Sequence, residues 1–90
     1  MSDADEKTNL SEERLYWACR RGMLELDLIL NQYLKEAYPH LSDNDKKLFV
    51  QLLSTEDAEL FTWVLGSSPP QDENMLKIVK LIREHVVKTR

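Results

Sequence analysis

A chain of 90 residues is long enough for one domain and too short for two. Its 16 acidic and 12 basic residues leave a net charge of −4, which disfavours non-specific DNA or RNA binding, because that rests on Lys and Arg neutralising phosphates. The lone cysteine, Cys19, excludes an internal disulfide and fits a reducing compartment.

In chain order, Met1–Asn9 is polar and acidic and reads as a disordered lead. It lacks the basic start and apolar stretch of a secretory signal, and its acidity argues against a mitochondrial presequence. Residues 10–90 read as a single helical domain. Ser11 is placed to cap a first helix running to about Arg20 and stopping near Gly22, with Leu15, Ala18 and Cys19 on one face. A second helix is predicted from about Met23 to Tyr38, where Pro39 stops it. Its apolar stripe is Leu26, Ile29, Leu30, Tyr33, Leu34 and Ala37.

Ser42 opens a third helix with Leu48, Phe49, Leu52 and Leu53 inward. Ser54 or Thr55 is expected to cap a short fourth helix ending at about Leu65, with Leu60, Phe61, Val64 and Leu65 inward and Gly66 at its C-cap. After Pro69 and Pro70, Asp72 caps a fifth helix that buries Met75, Leu76, Val79, Ile82 and Val86. Glu73–Lys77 and Lys80–Glu84 are spaced as charge pairs, and Lys77, Lys80, Arg83 and Lys88 read as a solvated face. No stretch alternates long enough to make a sheet, so the fold class is all-α, a small five-helix bundle. No apolar run approaches the ~20 residues needed to span a bilayer. The expectation is a cytoplasmic protein without direct membrane insertion.

Catalytic constellations are scarce. His40 and His85 are isolated in sequence and read as solvent-facing or capping groups rather than metal ligands. Cys19 has no histidine near it in sequence and reads as a buried structural thiol. There is no phosphate loop, dinucleotide fingerprint or cysteine pair for zinc. The expectation is a binding protein and not an enzyme.

The run Trp17-Ala18-Cys19-Arg20-Arg21-Gly22-Met23-Leu24-Glu25-Leu26-Asp27 sets two arginines and two acids around a glycine inside an aromatic and aliphatic frame. If the backbone stays nearly helical across Gly22, Arg21 and Glu25 fall on one face, four residues apart. Two readings then stand side by side. Gly22 leaves a gap through which a partner backbone approaches, with Arg21 and Glu25 as recognition groups. Alternatively Gly22 only ends a helix, and the pair is a surface contact contributing a few tenths of a kcal/mol, the reading chemistry alone favours. Tyr16, Trp17 and Trp63 are candidate anchors for a partner pocket.

The same run closely resembles the signature of the FAD assembly factor family, SdhE, whose hallmark Arg-Gly-x-x-Glu is matched by Arg21, Gly22 and Glu25. A second block is similar too: Leu41-Ser42-Asp43 through Phe49, Leu52 and Leu53, then Asp57, Leu60, Phe61 and Trp63. The resemblance covers roughly residues 11–84 and implies a five-helix bundle. It implies a partner, the flavoprotein subunit of succinate dehydrogenase and in bacteria that of fumarate reductase, and a function, promoting covalent attachment of FAD to a histidine of that subunit. It also implies that Arg21, Gly22 and Glu25 lie on the surface meeting the client, with Arg20 and Asp27 extending the match and Trp17 beside them. FAD is expected in the client, with no cofactor or metal bound by this chain, which is expected to act as a monomer. The alternative carried by the same resemblance is an antitoxin-type protein that neutralises a membrane-associated toxin.

Overall fold

Gly22, Pro39, Gly66 and the Pro69-Pro70 pair divide the chain, and helices occupy the intervals. The computed structural model describes residues 12–89. It contains α1 (Glu12–Ala18), α2 (Leu24–Glu36), α3 (Asp43–Leu52), α4 (Asp57–Leu65) and α5 (Glu73–Thr89), with a 3-10 turn at Tyr38–His40 between α2 and α3. No strand occurs among the described residues, and the expected all-α five-helix architecture is the one that forms. The acidic lead Met1–Asn9 and the cap expected at Ser11 lie outside the described residues.

Two of the expected N-caps form, and Gly66 takes the expected C-cap position of the fourth helix. The Asp45 N–H donates to Ser42 Oγ at 3.1 Å, and the Met75 N–H donates to the Asp72 carboxylate at 3.0 Å. Each satisfies one of the four orphan donors of a helix start. α2 closes at Glu36, before the expected Tyr38, because Pro39 takes the chain into the 3-10 turn, where its missing N–H costs nothing. The N-cap of α4 expected at Ser54 or Thr55 does not form. Glu56 holds the N-cap position without a side-chain bond, while Ser54 Oγ donates backwards to the Gln51 carbonyl at 2.7 Å. A serine hydroxyl that finds a local carbonyl is withdrawn from capping the next helix.

All five helices contribute to one buried cluster. Leu15 and Cys19 enter from the α1 end, Leu26, Leu30 and Tyr33 from α2, and Leu48, Phe49 and Leu52 from α3. Leu60 and Val64 enter from α4, and Met75, Ile78, Val79 and Ile82 from α5. Phe49 sits at its centre, with the Tyr33 and Tyr38 rings at 5.6 and 5.4 Å. Burying each such large side chain stabilises the fold by about 1.5–3 kcal/mol. Ile78 is fully buried, although the expected α5 stripe omitted it, and Leu76 and Val86 lie at the edge. In α4 the stripe is narrower than expected: Leu60 and Val64 are buried, Phe61 is exposed and Leu65 is half-buried. A helix of nine residues turns only one narrow face to the core, and the neighbours of Leu60 and Val64 flank it.

The basic groups of α5, Lys77, Lys80, Arg83 and Lys88, are exposed as expected, but two of them also reach neighbouring elements. Lys77 Nζ lies 3.0 Å from the Asp45 carboxylate, pinning α5 to α3 in place of the expected Glu73 pair. Arg83 Nη1 donates to the carbonyls of Trp63, Val64 and Gly66, each at 3.0 Å. His85 Nε2 meets Glu36 of α2 at 2.8 Å, with its ring edge-on to Tyr33. Helix periodicity sorts residues into inward and outward, but long side chains at the boundary reach back to neighbouring elements.

Candidate docking site

α1 ends in a single tightening turn, with the Cys19 N–H bonded to the Leu15 carbonyl and the Arg20 N–H to the Trp17 carbonyl. The chain then passes Gly22 at φ +83, the only positive φ among the described residues. That left-handed conformation costs an L-residue about 1–2 kcal/mol, which is why glycine occupies it. α2 starts two residues later, and Met23 at its N-cap supplies no side-chain bond. Asp27, in the first turn of α2, reaches back instead to the loop before the helix. Its carboxylate accepts from the Arg21 N–H at 2.6 Å and the Gly22 N–H at 3.2 Å, and its side chain is only 13% exposed. A carboxylate there also meets the positive end of the α2 dipole.

The break at Gly22 removes the condition under which Arg21 and Glu25 would share one helical face, and Gly22 ends the first helical segment as the plainer reading had it. Arg21 precedes α2, and its guanidinium turns inward with 14% of the side chain exposed. Arg21 Nη2 donates to the carbonyls of Leu53 at 2.7 Å and Thr55 at 2.6 Å, and Nε lies 3.3 Å from Asp57 Oδ1. Hydrogen bonds of a charged donor contribute about 1.5–3 kcal/mol, against about 0.3–0.5 for an exposed helical pair, so the inward set holds the side chain. Arg21 therefore ties the Gly22 turn to the α3–α4 turn.

Exposed apolar side chains flank the turn on both helices. Trp17 is 60% exposed, Leu24 76% and Leu28 60%, and Leu24 and Leu28 lie four residues apart on α2. Tyr16 stands edge-on to Trp17 at 5.4 Å. The Arg20 guanidinium lies 5.9 Å from both ring centroids, with its Nε 4.0 Å from Asp27, so it joins the aromatic half of the surface to α2. Glu25 is exposed beside Leu24. A side chain added at Gly22 would find nothing within 4 Å. Clustered exposed apolar residues rimmed by charge mark interaction surfaces, and a tryptophan among them is the usual energetic anchor. Of the residues singled out in the sequence, Trp17, Arg20, Gly22 and Glu25 reach the surface together, whereas Arg21 and Asp27 lie beneath it. Leu24 and Leu28 escaped notice, although they are apolar positions off the α2 stripe. Trp63, the other candidate anchor, is half-buried, and its carbonyl accepts from Arg83.

Cys19 is fully buried. Burial pushes its thiol up to about 12, with Arg21 pulling down and Asp27 adding to the rise, so it is protonated at neutral pH. A protonated, inaccessible thiol is neither a nucleophile nor a metal ligand. Among the described residues no group of three His, Cys, Asp or Glu side chains is placed to hold a metal, and no helix is long and apolar enough to cross a membrane.

Comparison with known proteins places the chain in a family. The family described as flavinator of succinate dehydrogenase matches residues 13–86. The chain is 44% identical over 73 residues to the FAD assembly factor SdhE of Photorhabdus laumondii, covering 81% of this chain and 83% of that one. It is 42% identical over 73 residues to the SdhE of Yersinia pseudotuberculosis, with the same coverage of 81% and 83%. To the SdhE of Pseudomonas putida it is 41% identical over 81 residues, or 90% of this chain and 94% of the relative. With the family match spanning the Gly22 turn and reaching into all five helices, the chain belongs to the family of succinate dehydrogenase flavinators.

Proposed function

We infer that this chain is an assembly factor for succinate dehydrogenase, docking on its flavoprotein subunit and promoting covalent attachment of FAD to it. Family membership supports this reading, and the observation that carries it is the exposed Trp17, Leu24 and Leu28 surface beside Arg20, Gly22 and Glu25. The docking element runs from Trp17 to Asp27 and includes Arg21.

The factor acts without a catalytic group of its own. Covalent flavin attachment draws on the electrophilic chemistry of the bound cofactor. What a helper supplies is a client conformation in which the accepting histidine faces the flavin, and orientation alone can lower a barrier by several kcal/mol, up to about 7–11. FAD belongs to the client in this reading. The Arg21 and Gly22 amides, the natural place to seek a phosphate cradle, are already taken by Asp27. The fumarate reductase flavoprotein is a second client, and the factor works as a cytoplasmic monomer. The toxin-neutralising alternative finds no support in the relatives' names and is carried no further.

The decisive measurement is in-gel flavin fluorescence of the succinate dehydrogenase flavoprotein subunit, made in cells with and without this chain. Covalent flavin should appear with it and fall sharply without it. Equal fluorescence in both would sink the reading.

A further inference from the structure

We propose that Arg21, Asp27 and Asp57 are positioning residues for docking: they do not touch the client but hold the Gly22 turn in its docking shape from beneath. The proposal rests on the docking reading above. Arg21 has its guanidinium engaged on three groups of one distant turn, the carbonyls of Leu53 and Thr55 and the carboxylate of Asp57. Its own amide and that of Gly22 are held by Asp27. The same residue is thus fixed twice, by its side chain to the α3–α4 turn and by its backbone to the first turn of α2. Between these anchors sits the one left-handed residue among those described, beside Arg20 and Glu25, which are exposed.

To reach a client, Arg21 would have to leave all three groups and strand two carbonyls of the α3–α4 turn. The turn, in contrast, needs such a brace. Met23 gives α2 no side-chain cap, and α1 is only seven residues long. Short helices have little stability of their own. Asp57 enters the set only through the fold: it lies 36 positions beyond Arg21, and its half-exposed carboxylate stands 3.3 Å from the guanidinium as an ion pair. Arginine suits the task better than lysine, because one guanidinium nitrogen serves both carbonyls while the delocalised charge faces the Asp57 carboxylate.

The test separates brace from contact. Affinity for the purified flavoprotein subunit is measured for Arg21→Ala, Asp57→Asn, Asp57→Glu and the double variant Arg21→Ala/Asp57→Asn. Amide hydrogen exchange of residues 20–24 is followed in the free protein. A brace predicts at least tenfold weaker docking for Arg21→Ala, a several-fold loss for Asp57→Asn, wild-type docking for Asp57→Glu, and a double variant no worse than Arg21→Ala alone. It also predicts faster exchange at Arg21 and Gly22 in the free Arg21→Ala protein. Should Arg21→Ala not fold, Asp57→Asn decides by the same two readouts. Wild-type docking by Asp57→Asn beside a loss for Arg21→Ala, or unchanged exchange in the free variants, would overturn the brace and leave the docking reading standing. Unchanged docking for Trp17→Ala and Glu25→Ala would instead overturn the docking reading, and the positioning role with it, whatever the exchange pattern.

Discussion

Arg83 closes α4 from a different helix: its Nη1 lies 3.0 Å from the Val64 carbonyl, with the Trp63 and Gly66 carbonyls equally near. The last carbonyls of a helix have no intrahelical donor and carry its negative dipole end. Arg83→Ala should therefore destabilise the fold by about 1–2 kcal/mol, seen as a melting temperature several degrees lower. Flavinylation per folded molecule should stay at the wild-type level, because the α4 C-terminus is not part of the docking surface. A fall in flavinylation without a fall in melting temperature would assign Arg83 a second role.

The two glycines should respond differently to alanine. At Gly22 an added Cβ meets nothing within 4 Å, so the cost is the backbone conformation alone, about 1–2 kcal/mol. At Gly66 the φ is ordinary, but an added Cβ would stand 2.7 Å from the Thr62 carbonyl oxygen, and α4 must shift. Gly66→Ala should lower stability without a specific docking defect. Gly22→Arg should keep helical circular dichroism, fill the open space and fail to co-purify with the client. Wild-type co-purification of a folded Gly22→Arg protein would show that nothing approaches that gap.

Trp17 and Glu25 should separate docking from folding. Both are exposed, so Trp17→Ala and Glu25→Ala should each change folding stability by no more than about 0.5 kcal/mol. An anchor tryptophan commonly contributes 2 kcal/mol or more to an interface, about a thirtyfold loss of affinity on truncation. Titration of each variant against the flavoprotein subunit, beside thermal melts, checks both halves. A large melting shift with intact affinity would reverse the assignment.

Cys19 makes stability depend on alkaline pH. Its ordinary value is 9.0, and burial pushes it to about 12 in the folded chain. Below about pH 9 both states keep the proton and stability is unaffected. Above it the unfolded thiol ionises first, so stability falls progressively between about pH 9 and 12. Burial also pushes the Tyr33 and Tyr38 hydroxyls up, so they add to the same decline. Cys19→Ala should lose about 1 kcal/mol at neutral pH from the small cavity, show a shallower alkaline decline and retain flavinylation. The native thiol should resist a thiol reagent at pH 8 until the chain is unfolded. Rapid native labelling would contradict the burial.

Periodicity and punctuation were enough to read five helices from the sequence, because Gly22, Pro39, Gly66 and the proline pair act locally. The Ser42 and Asp72 caps were readable for the same reason. What escaped were contacts between residues far apart in the chain. Arg21 looked like a surface group because its partners lie 32 to 36 positions away. Arg83 and Lys77 looked solvated because their partners sit on α4 and α3. The motif coincides with the Gly22 turn, where Arg21 and Asp27 lie beneath the surface. A one-dimensional pattern cannot distinguish a side chain that meets a client from one that holds its neighbour in place.

The Asp27 carboxylate has a consequence for proteolysis. The two N–H groups it holds belong to the Arg20–Arg21 and Arg21–Gly22 peptide bonds, the very bonds at which trypsin would cut this turn. A protease must draw such a bond into extended register, and the carboxylate opposes that by gripping the amide on the leaving side of each. The turn should therefore resist trypsin despite two adjacent arginines, and Asp27→Ala should convert it into an early nick that separates α1, with Leu15 and Cys19, from the remaining four helices.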